Sequence, residues 1–303
     1  MIEPADFNFL VEQAMRIPGR NHMRPVVEKE LLHYDLLFCL DKEGLLDQLT
    51  FQGGTSLRLC YGSVRFSEDL DFVGGTAFSS QQLMPMKTCI EDYIGKRYQL
   101  EVTVKEPKEL RTDPEHLGLK IDKWQIAIVT APDRKDFPKQ RIKIEIANIP
   151  AYSRQARSVQ VNYNFLPDGY GDTLVMTETL DEIMADKLVS LVNTERYIRH
   201  RDIWDLRWLK QEGAKVNLAW IHHKIKDYKV DHYFEKLDKT ANNLQKIIHG
   251  KAFKDEMNRF IPTEVQERTL NKEKFYDFLT NEIRGLLDEV KQEKKSNDAF
   301  NLS

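Results

Sequence analysis

The chain is short of cysteine, of long apolar runs and of net charge, and each shortage removes a class of protein. Its three cysteines, Cys39, Cys60 and Cys89, are an odd number without Cys-x-x-Cys spacing, which argues against both a disulfide framework and a zinc site. Each is read as a buried thiol. No stretch approaches the roughly 18 uninterrupted apolar residues of a membrane span. The start, Met1-Ile2-Glu3-Pro4-Ala5-Asp6, lacks the basic-then-apolar pattern of a signal peptide. No membrane partner and a cytoplasmic location are the expectations. A formal net charge of −3 over 303 residues argues against a chain that coats nucleic acid nonspecifically, so any nucleic-acid contact must be local. There is no internal repeat.

What is present is enough apolar material, 41% against 31% charged, for a substantial core in two lobes. One dense basic cluster lies at Arg196, Arg199, His200, Arg201, Arg207 and Lys210. A smaller group, His222, His223, Lys224 and Lys226, is equally well read as a solvated helix face. From Pro25 to Leu49 apolar residues recur at helical spacing, and Thr50-Phe51-Gln52 is extended in character. Gly53-Gly54 breaks that strand, and Thr55 or Ser56 is placed to cap a second helix whose first-turn amides would suit phosphate. A short acidic strand at 70–73 follows, then a helix from about Ser80 to Lys96. Further strands are expected over 98–104, 119–129 and 142–146. Pro132, Asp133 and Pro138 mark a loop, and from Thr177 to about Lys291 the pattern is helical. A lobe boundary is placed near Met176, giving lobes of 1–176 and 177–303, with a loose polar tail from Lys294.

The chemistry concentrates in Arg65-Phe66-Ser67-Glu68-Asp69-Leu70-Asp71-Phe72. In a strand, Asp69 and Asp71 share one face while Leu70 and Phe72 enter the core. Two neighbouring acids alone fit a surface strand end paired with lysine or arginine. With the Gly-Gly-Thr-Ser turn one short helix upstream, they suit Mg²⁺ and a triphosphate at a common site, as in nucleotidyl transfer. Glu145, in the alternating run Arg141-Ile142-Lys143-Ile144-Glu145-Ile146, is the candidate third carboxylate, against an ordinary solvent face with cross-strand ion pairs.

In the helical part, Lys187 sits inside the apolar stripe Leu180, Ile183, Met184, Leu188 and Leu191. Its stem either snorkels to water or carries the ammonium to a nucleotide phosphate. Asp202 and Asp205 follow one helical turn apart, where a cap at Asp202 and an Arg201 to Asp205 ion pair are the plain alternatives. His200-Arg201-Asp202 is not a kinase catalytic loop, because Arg207 stands where the asparagine belongs and no Asp-Phe-Gly follows. Trp204 and Trp208 read as core.

Taken in order, Gly53-Gly54-Thr55-Ser56-Leu57, the Arg65 to Phe72 run, Lys143-Ile144-Glu145, Ala185-Asp186-Lys187 and Arg201-Asp202-Ile203-Trp204-Asp205-Leu206 resemble the AbiEii/AbiGii-type nucleotidyltransferase toxins over residues about 50 to 210. The resemblance implies an α+β fold: a DNA polymerase β-like lobe with a mixed sheet, then an all-helical lobe. It implies a toxin of a toxin-antitoxin or phage-defence system, with a cognate antitoxin, that uses an NTP to modify RNA, with the acceptor end of tRNA favoured. By position, Asp69 and Asp71 would hold Mg²⁺. Gly53, Gly54, Thr55 and Ser56 would lie at the triphosphate, and Arg65 and Ser67 beside that strand. Lys187 would grip the nucleotide, Asp205 would complete the site, and Glu145 would serve as base or ligand. Arg199 and Arg201 are the candidate RNA contacts. Asp186 replaces a common glutamate, and His200 a common proline. A protein or aminoglycoside-like acceptor, and a noncatalytic nucleotide-binding subunit, are the alternatives.

Overall fold

A computed structural model describes residues 4–107, 119–134, 136, 138–194 and 197–300, apart from the side chains of 293–300. Arg196 of the basic cluster lies outside the described residues. The chain divides into two compact units, 1–178 and 179–303.

The first unit begins with α1 (Phe7–Met15) and α2 (Arg24–Lys42). N-terminal helices are expected in the first lobe, but periodicity sets no bounds for α1, whose start is marked by Asp6 accepting from the Phe9 amide at 3.1 Å. Helix α2 has Pro25 in its first turn, where the missing amide costs nothing, and stops before Gly44, whose φ of +66° is left-handed. It therefore ends seven residues before the Leu49 limit that periodicity alone suggests. There follow β1 (Thr50–Gln52), α3 (Gly53–Tyr61), β2 (Leu70–Val73), a 3₁₀ turn (Ser80–Leu83), α4 (Met86–Tyr98), β3 (Val102–Lys105), β4 (Ile121–Ile128), β5 (Gln140–Ala147), β6 (Gln155–Ser158) and β7 (Leu174–Thr177). The single helix expected over 80–96 is split at Pro85, which breaks the hydrogen-bond ladder between the 3₁₀ turn and α4.

The strands form one mixed seven-stranded sheet in the order β3-β4-β5-β2-β1-β7-β6. β2 runs antiparallel to β1 and parallel to β5. Strict alternation sorts the two faces. Leu70, Phe72, Ile142, Ile144 and Ile146 are buried on one face, each such side chain contributing on the order of 1.5–3 kcal/mol. Asp71, Lys143 and Glu145 occupy the other face.

Helix α2 buries charge as well as leucine. The Asp35 carboxylate accepts from the Tyr98 hydroxyl at 2.7 Å and from the Tyr170 hydroxyl, with Arg97 Nε at 3.2 Å. Burial pushes its carboxyl up to about 6 although Arg97 pulls it down. His33 donates from Nε2 to the Glu68 carbonyl at 3.0 Å. Its burial depresses the imidazole to about 4, against the opposing effect of that hydrogen bond.

The second unit comprises α5 (Leu180–Val192), α6 (His200–Gln211), α7 (Leu218–Asp227), α8 (Tyr233–Ile248), α9 (Lys251–Asn258), α10 (Thr263–Arg268) and α11 (Glu273–Phe300). Thr179 caps α5 through the Glu182 amide. Ile183, Leu188, Ile203, Trp204, Leu237, Leu244 and Leu279 form its core. Lys224, from the smaller basic group, is fully buried and pairs with Glu182 at 2.8 Å and Asp186 at 3.0 Å, so it is not part of a solvated face. Helix α11 continues into the polar stretch read as a loose tail. No helix among the described residues is long and apolar enough to cross a membrane.

The two shifted groups on α2 give stability profiles of opposite slope. Asp35, raised when folded, favours folding at low pH and loses that advantage as pH rises from about 4 to about 6. His33, depressed when folded, costs stability as pH falls from about 6.5 to about 4. Urea midpoints from pH 4.5 to 7 should show wild type losing ground to Asp35→Asn with rising pH and to His33→Gln with falling pH. Each drift should be on the order of 2–3 kcal/mol over its full window. Profiles parallel to wild type would refute both assignments.

Candidate active site

The register of the sheet assembles the first unit's polar residues. Asp71 pairs with Gln52 across β1 and with Glu145 across β5, and Glu145 pairs in turn with Lys123 on β4. These positions form one row across the open face, with neighbouring strands about 4.8 Å apart. Asp69, just before β2, takes the Lys143 amide on Oδ1 at 2.9 Å and has the Lys143 ammonium 3.7 Å from Oδ2. Glu145 pairs with the Lys123 ammonium at 3.1 Å. The two outer carboxylates are thus neutralised by lysines on the same face. Both remain partly open, with side chains 32% exposed at Asp69 and 26% at Glu145, so a cation or ligand has access to them. Hard carboxylate oxygens of this kind suit Mg²⁺.

Helix α3 starts at Gly53 itself, and its cap residue Gln52 makes no side-chain cap bond, so neither Thr55 nor Ser56 is the cap. Both side chains instead turn inward and are buried. The Thr55 hydroxyl donates to the Asp69 carbonyl, latching the helix to the acidic strand. Ser56 Oγ is buried without a hydrogen-bond partner among the described residues. What α3 offers a phosphate is therefore its first-turn backbone amides. The two glycines have different reasons. At Gly53, φ is +76° and an added Cβ would lie 2.7 Å from Asp71 Oδ2; at Gly54 it would lie 2.2 Å from the Arg65 guanidinium. Arg65 is buried and donates to the Phe66 carbonyl at 2.7 Å. Arg65 and Ser67 thus back the glycine turn from inside.

Helix α2 holds the segment from Gly62 to Asp69 in place through residues the sequence reading did not single out. Glu30 receives a two-point bond from Arg58, at 2.6 and 3.1 Å, and Arg58 also donates to the Ser63 carbonyl at 3.0 Å. The Arg58 guanidinium lies 4.2 Å over the Phe66 ring. Burial works to raise the Glu30 carboxyl, and Arg58 overrides it and holds it below the usual range. Lys29 pairs with Glu68 at 3.0 Å, beside the His33 bond to the Glu68 carbonyl. The only signal for these contacts in the sequence is a run of charges inside an apolar helix.

In the second unit, Lys187 does not snorkel. Its ammonium lies 2.9 Å from Asp202 and 2.8 Å from Asp205, all three side chains buried or nearly so. Asp202 also accepts from Ser190 Oγ at 2.7 Å. Burial tends to raise the Asp202 carboxyl, but Lys187 and Arg199 hold it below the usual range. Arg201 pairs with Glu256 at 3.5 Å and lies over the Phe260 ring. Arg199 is exposed, its guanidinium 5.5 Å over the exposed Tyr197 ring.

Two substitutions test this geometry. Gly53→Ala should destabilise by about 1–2 kcal/mol from backbone strain, and by more than Gly75→Ala. Gly75 has a similar φ of +82° with nothing within 4 Å of an added Cβ. Equal losses in urea denaturation would mean that Asp71 is not held against the turn. Lys187→Met should leave two buried carboxylates without their cation and cost about 3–5 kcal/mol. A loss below about 1 kcal/mol would show that the ion pairs are not formed in solution.

The chain matches the family model described as "Nucleotidyl transferase AbiEii toxin, Type IV TA system" over residues 35–281. Among solved structures it is similar to MenT4, a nucleotidyltransferase toxin from Mycobacterium tuberculosis. The identity is 17%, covering 98% of this chain and 99% of that one, with a TM-score of 0.52. It is also similar to JHP933 from Helicobacter pylori at 19% identity over 91% and 97% of the two chains, with a TM-score of 0.41. No curated protein matches it. The family match spans most of the chain and contains both the acidic strand and the Lys187 cluster, and the chain belongs to the AbiEii family of nucleotidyltransferase toxins of type IV toxin-antitoxin systems.

Proposed function

We propose that this toxin transfers a nucleoside monophosphate from an NTP to a 3′ hydroxyl of RNA, with the acceptor end of tRNA as the favoured target and pyrophosphate as the leaving product. The observation that carries the reading is the row of open carboxylates beside the glycine turn: Asp71 opposite Glu145, with Asp69 one step along the same face. Asp69 and Asp71 are the residues that would hold Mg²⁺. The ion would supply charge neutralisation at the phosphates and a lowered pKa at the attacking oxygen.

The remaining roles belong to the protein's own groups. The first-turn amides of α3 bind phosphate, and the Thr55 latch keeps them in register with Asp69. Lys143 and Lys123 neutralise the outer acids before a cation arrives. Glu145 completes the carboxylate row, as base or as a further ligand. The Lys187 ammonium is committed to Asp202 and Asp205, so these three act first as the buried ionic core of the second unit. Arg199 and Arg201 are offered to RNA phosphates, Arg199 with the exposed Tyr197 ring beside it. Alignment and electrostatics supply most of the rate in this chemistry.

The test incubates purified protein and Mg²⁺ with each α-labelled NTP and total RNA, beside the Asp69→Ala, Asp71→Ala variant and a chelated sample. A labelled band at tRNA size, lost in both controls, is the expected result and identifies the nucleotide. Labelling that persists in the folded double variant would overturn the assignment of the acids. Label on protein or on an added aminoglycoside, with RNA unlabelled, would overturn the assignment of the acceptor.

A further inference from the structure

Between α2, α4 and the turn at 167–170, the first unit contains a cavity of about 680 Å³ whose lining includes Phe38, Cys39, Cys89, Tyr93, Lys96 and Tyr170. Cys39 lies near the end of α2 and Cys89 in the first turns of α4. Cys89 Sγ donates to the Cys39 carbonyl at 3.4 Å, and Cys39 Sγ donates to the Leu36 carbonyl at 3.4 Å, so the two cysteines meet side by side with the Cys89 sulfur against Cys39 itself. Their burial differs: Cys39 is 3% exposed, while Cys89 is only half-buried and open to the cavity. We propose that Cys39 and Cys89 form a peroxide-reactive dithiol, with Cys89 as the attacking thiol and Cys39 as the resolving one, closing a reversible disulfide between α2 and α4.

The geometry supplies what such a pair needs: access for a small oxidant at Cys89, and a second cysteine whose own backbone carbonyl the Cys89 sulfur touches, so that a side-chain rotation rather than a chain movement brings the sulfurs together. The electrostatics agree. The neighbouring Cys89 thiol and burial together raise Cys39 well above the usual thiol range, which leaves the half-buried Cys89 as the thiol that ionises first. Cys60 is the internal contrast. It is fully buried, and burial pushes its thiol up to about 12.

The chemistry balances with a peroxide as oxidant. The Cys89 thiolate attacks one peroxide oxygen, the O–O bond breaks, and the leaving oxygen takes a proton and departs as water or an alcohol, leaving a sulfenic acid. Cys39 then attacks the Cys89 sulfur. Its proton goes to the departing hydroxide, which leaves as a second water. Two thiols are oxidised to one disulfide and one peroxide is reduced. A dithiol reductant returns both thiols by exchange. The disulfide would tie α4 to the helix whose other residues, Lys29, Glu30 and His33, hold the segment leading to Asp69.

The test treats the full chain with one equivalent of hydrogen peroxide, blocks free thiols under denaturing conditions and maps the peptides. The expected result is a loss of two hydrogens, a Cys39 to Cys89 cross-linked peptide that dithiothreitol reverses, and Cys60 recovered as a free thiol. In Cys39→Ser, dimedone should trap a sulfenic acid at Cys89. Native wild-type Cys89 should react with iodoacetamide at least about tenfold faster than Cys39 or Cys60. Only intermolecular disulfides, oxidation of Cys60 at the same rate as Cys89, or no cross-link in wild type would each overturn the proposal, whatever the acceptor of the transfer reaction.

Discussion

The parallel pairing of β2 with β5 is the constraint on which the rest depends. Because side chains alternate, the register that sets Leu70 beside Ile144 and Phe72 beside Ile146 also sets Asp71 beside Glu145. A slip of one residue on either strand would bury carboxylates in an apolar layer and expose isoleucine to water. The hydrophobic core therefore enforces the spacing of the acids, and like charges stand side by side because the far side of each strand cannot be anywhere else. The lysines on β4 and β5 reduce the repulsion this creates, from the open face, where their ammonium groups stay hydrated.

Holding the approach to β2 falls to α2, which combines two kinds of interaction that ordinarily compete. Its leucines bury against the sheet, while Glu30, His33 and Asp35 bury polar groups in the same helix. Each of the three has partners that offset desolvation: Arg58 for Glu30, the Glu68 carbonyl for His33, and Arg97 with two tyrosines for Asp35. A buried network of this kind adds little net stability over an apolar one, but removing one member leaves the others uncompensated. The Glu30 and His33 contacts fix one position for the Gly62 to Asp69 segment, from which the acidic strand departs, while Asp35 ties α2 to α4 and Tyr170.

Much of this was legible in the sequence wherever the signal is local. The Gly-Gly turn, the alternation at 69–72 and 141–146, and the helical periodicity after Thr177 each depend on neighbours a few residues apart, and the α+β class followed from their order. Where a contact joins residues distant in sequence, the pattern could not name the partner: a cross-strand ion pair at Glu145 was one of its two readings, but not Lys123 as the other half. Lys123 beside Glu145, Arg58 beside Glu30 and Cys89 beside Cys39 are set by strand register and helix packing, which no spacing rule encodes. Reading all three cysteines as buried was right for Cys39 and Cys60 and missed the half-open Cys89. The start of α3 was misplaced for a related reason. Thr55 looks like a cap, but its hydroxyl is taken by a carbonyl fourteen residues away, and the glycine with positive φ begins the helix instead.

Lys187 shows how one motif supports two explanations that only geometry separates. A lysine within an apolar helical stripe suggests a charge reaching for phosphate. With carboxylates at 2.9 and 2.8 Å and little exposure, its ammonium is already neutralised, and freeing it for a ligand would leave Asp202 and Asp205 facing each other without a cation. A phosphate, itself anionic, would have to displace a carboxylate that is closer and better desolvated. These three groups lock α5 and α6 by charge at the point where the apolar stripes of the two helices meet. In the first unit the same logic runs the other way. There the lysines beside Asp69 and Glu145 are half-exposed, their pairing is weak, and a divalent cation that binds two carboxylates at once can displace them at little cost. The difference in burial, rather than the residue types, separates acids that hold a structure together from acids left available for chemistry.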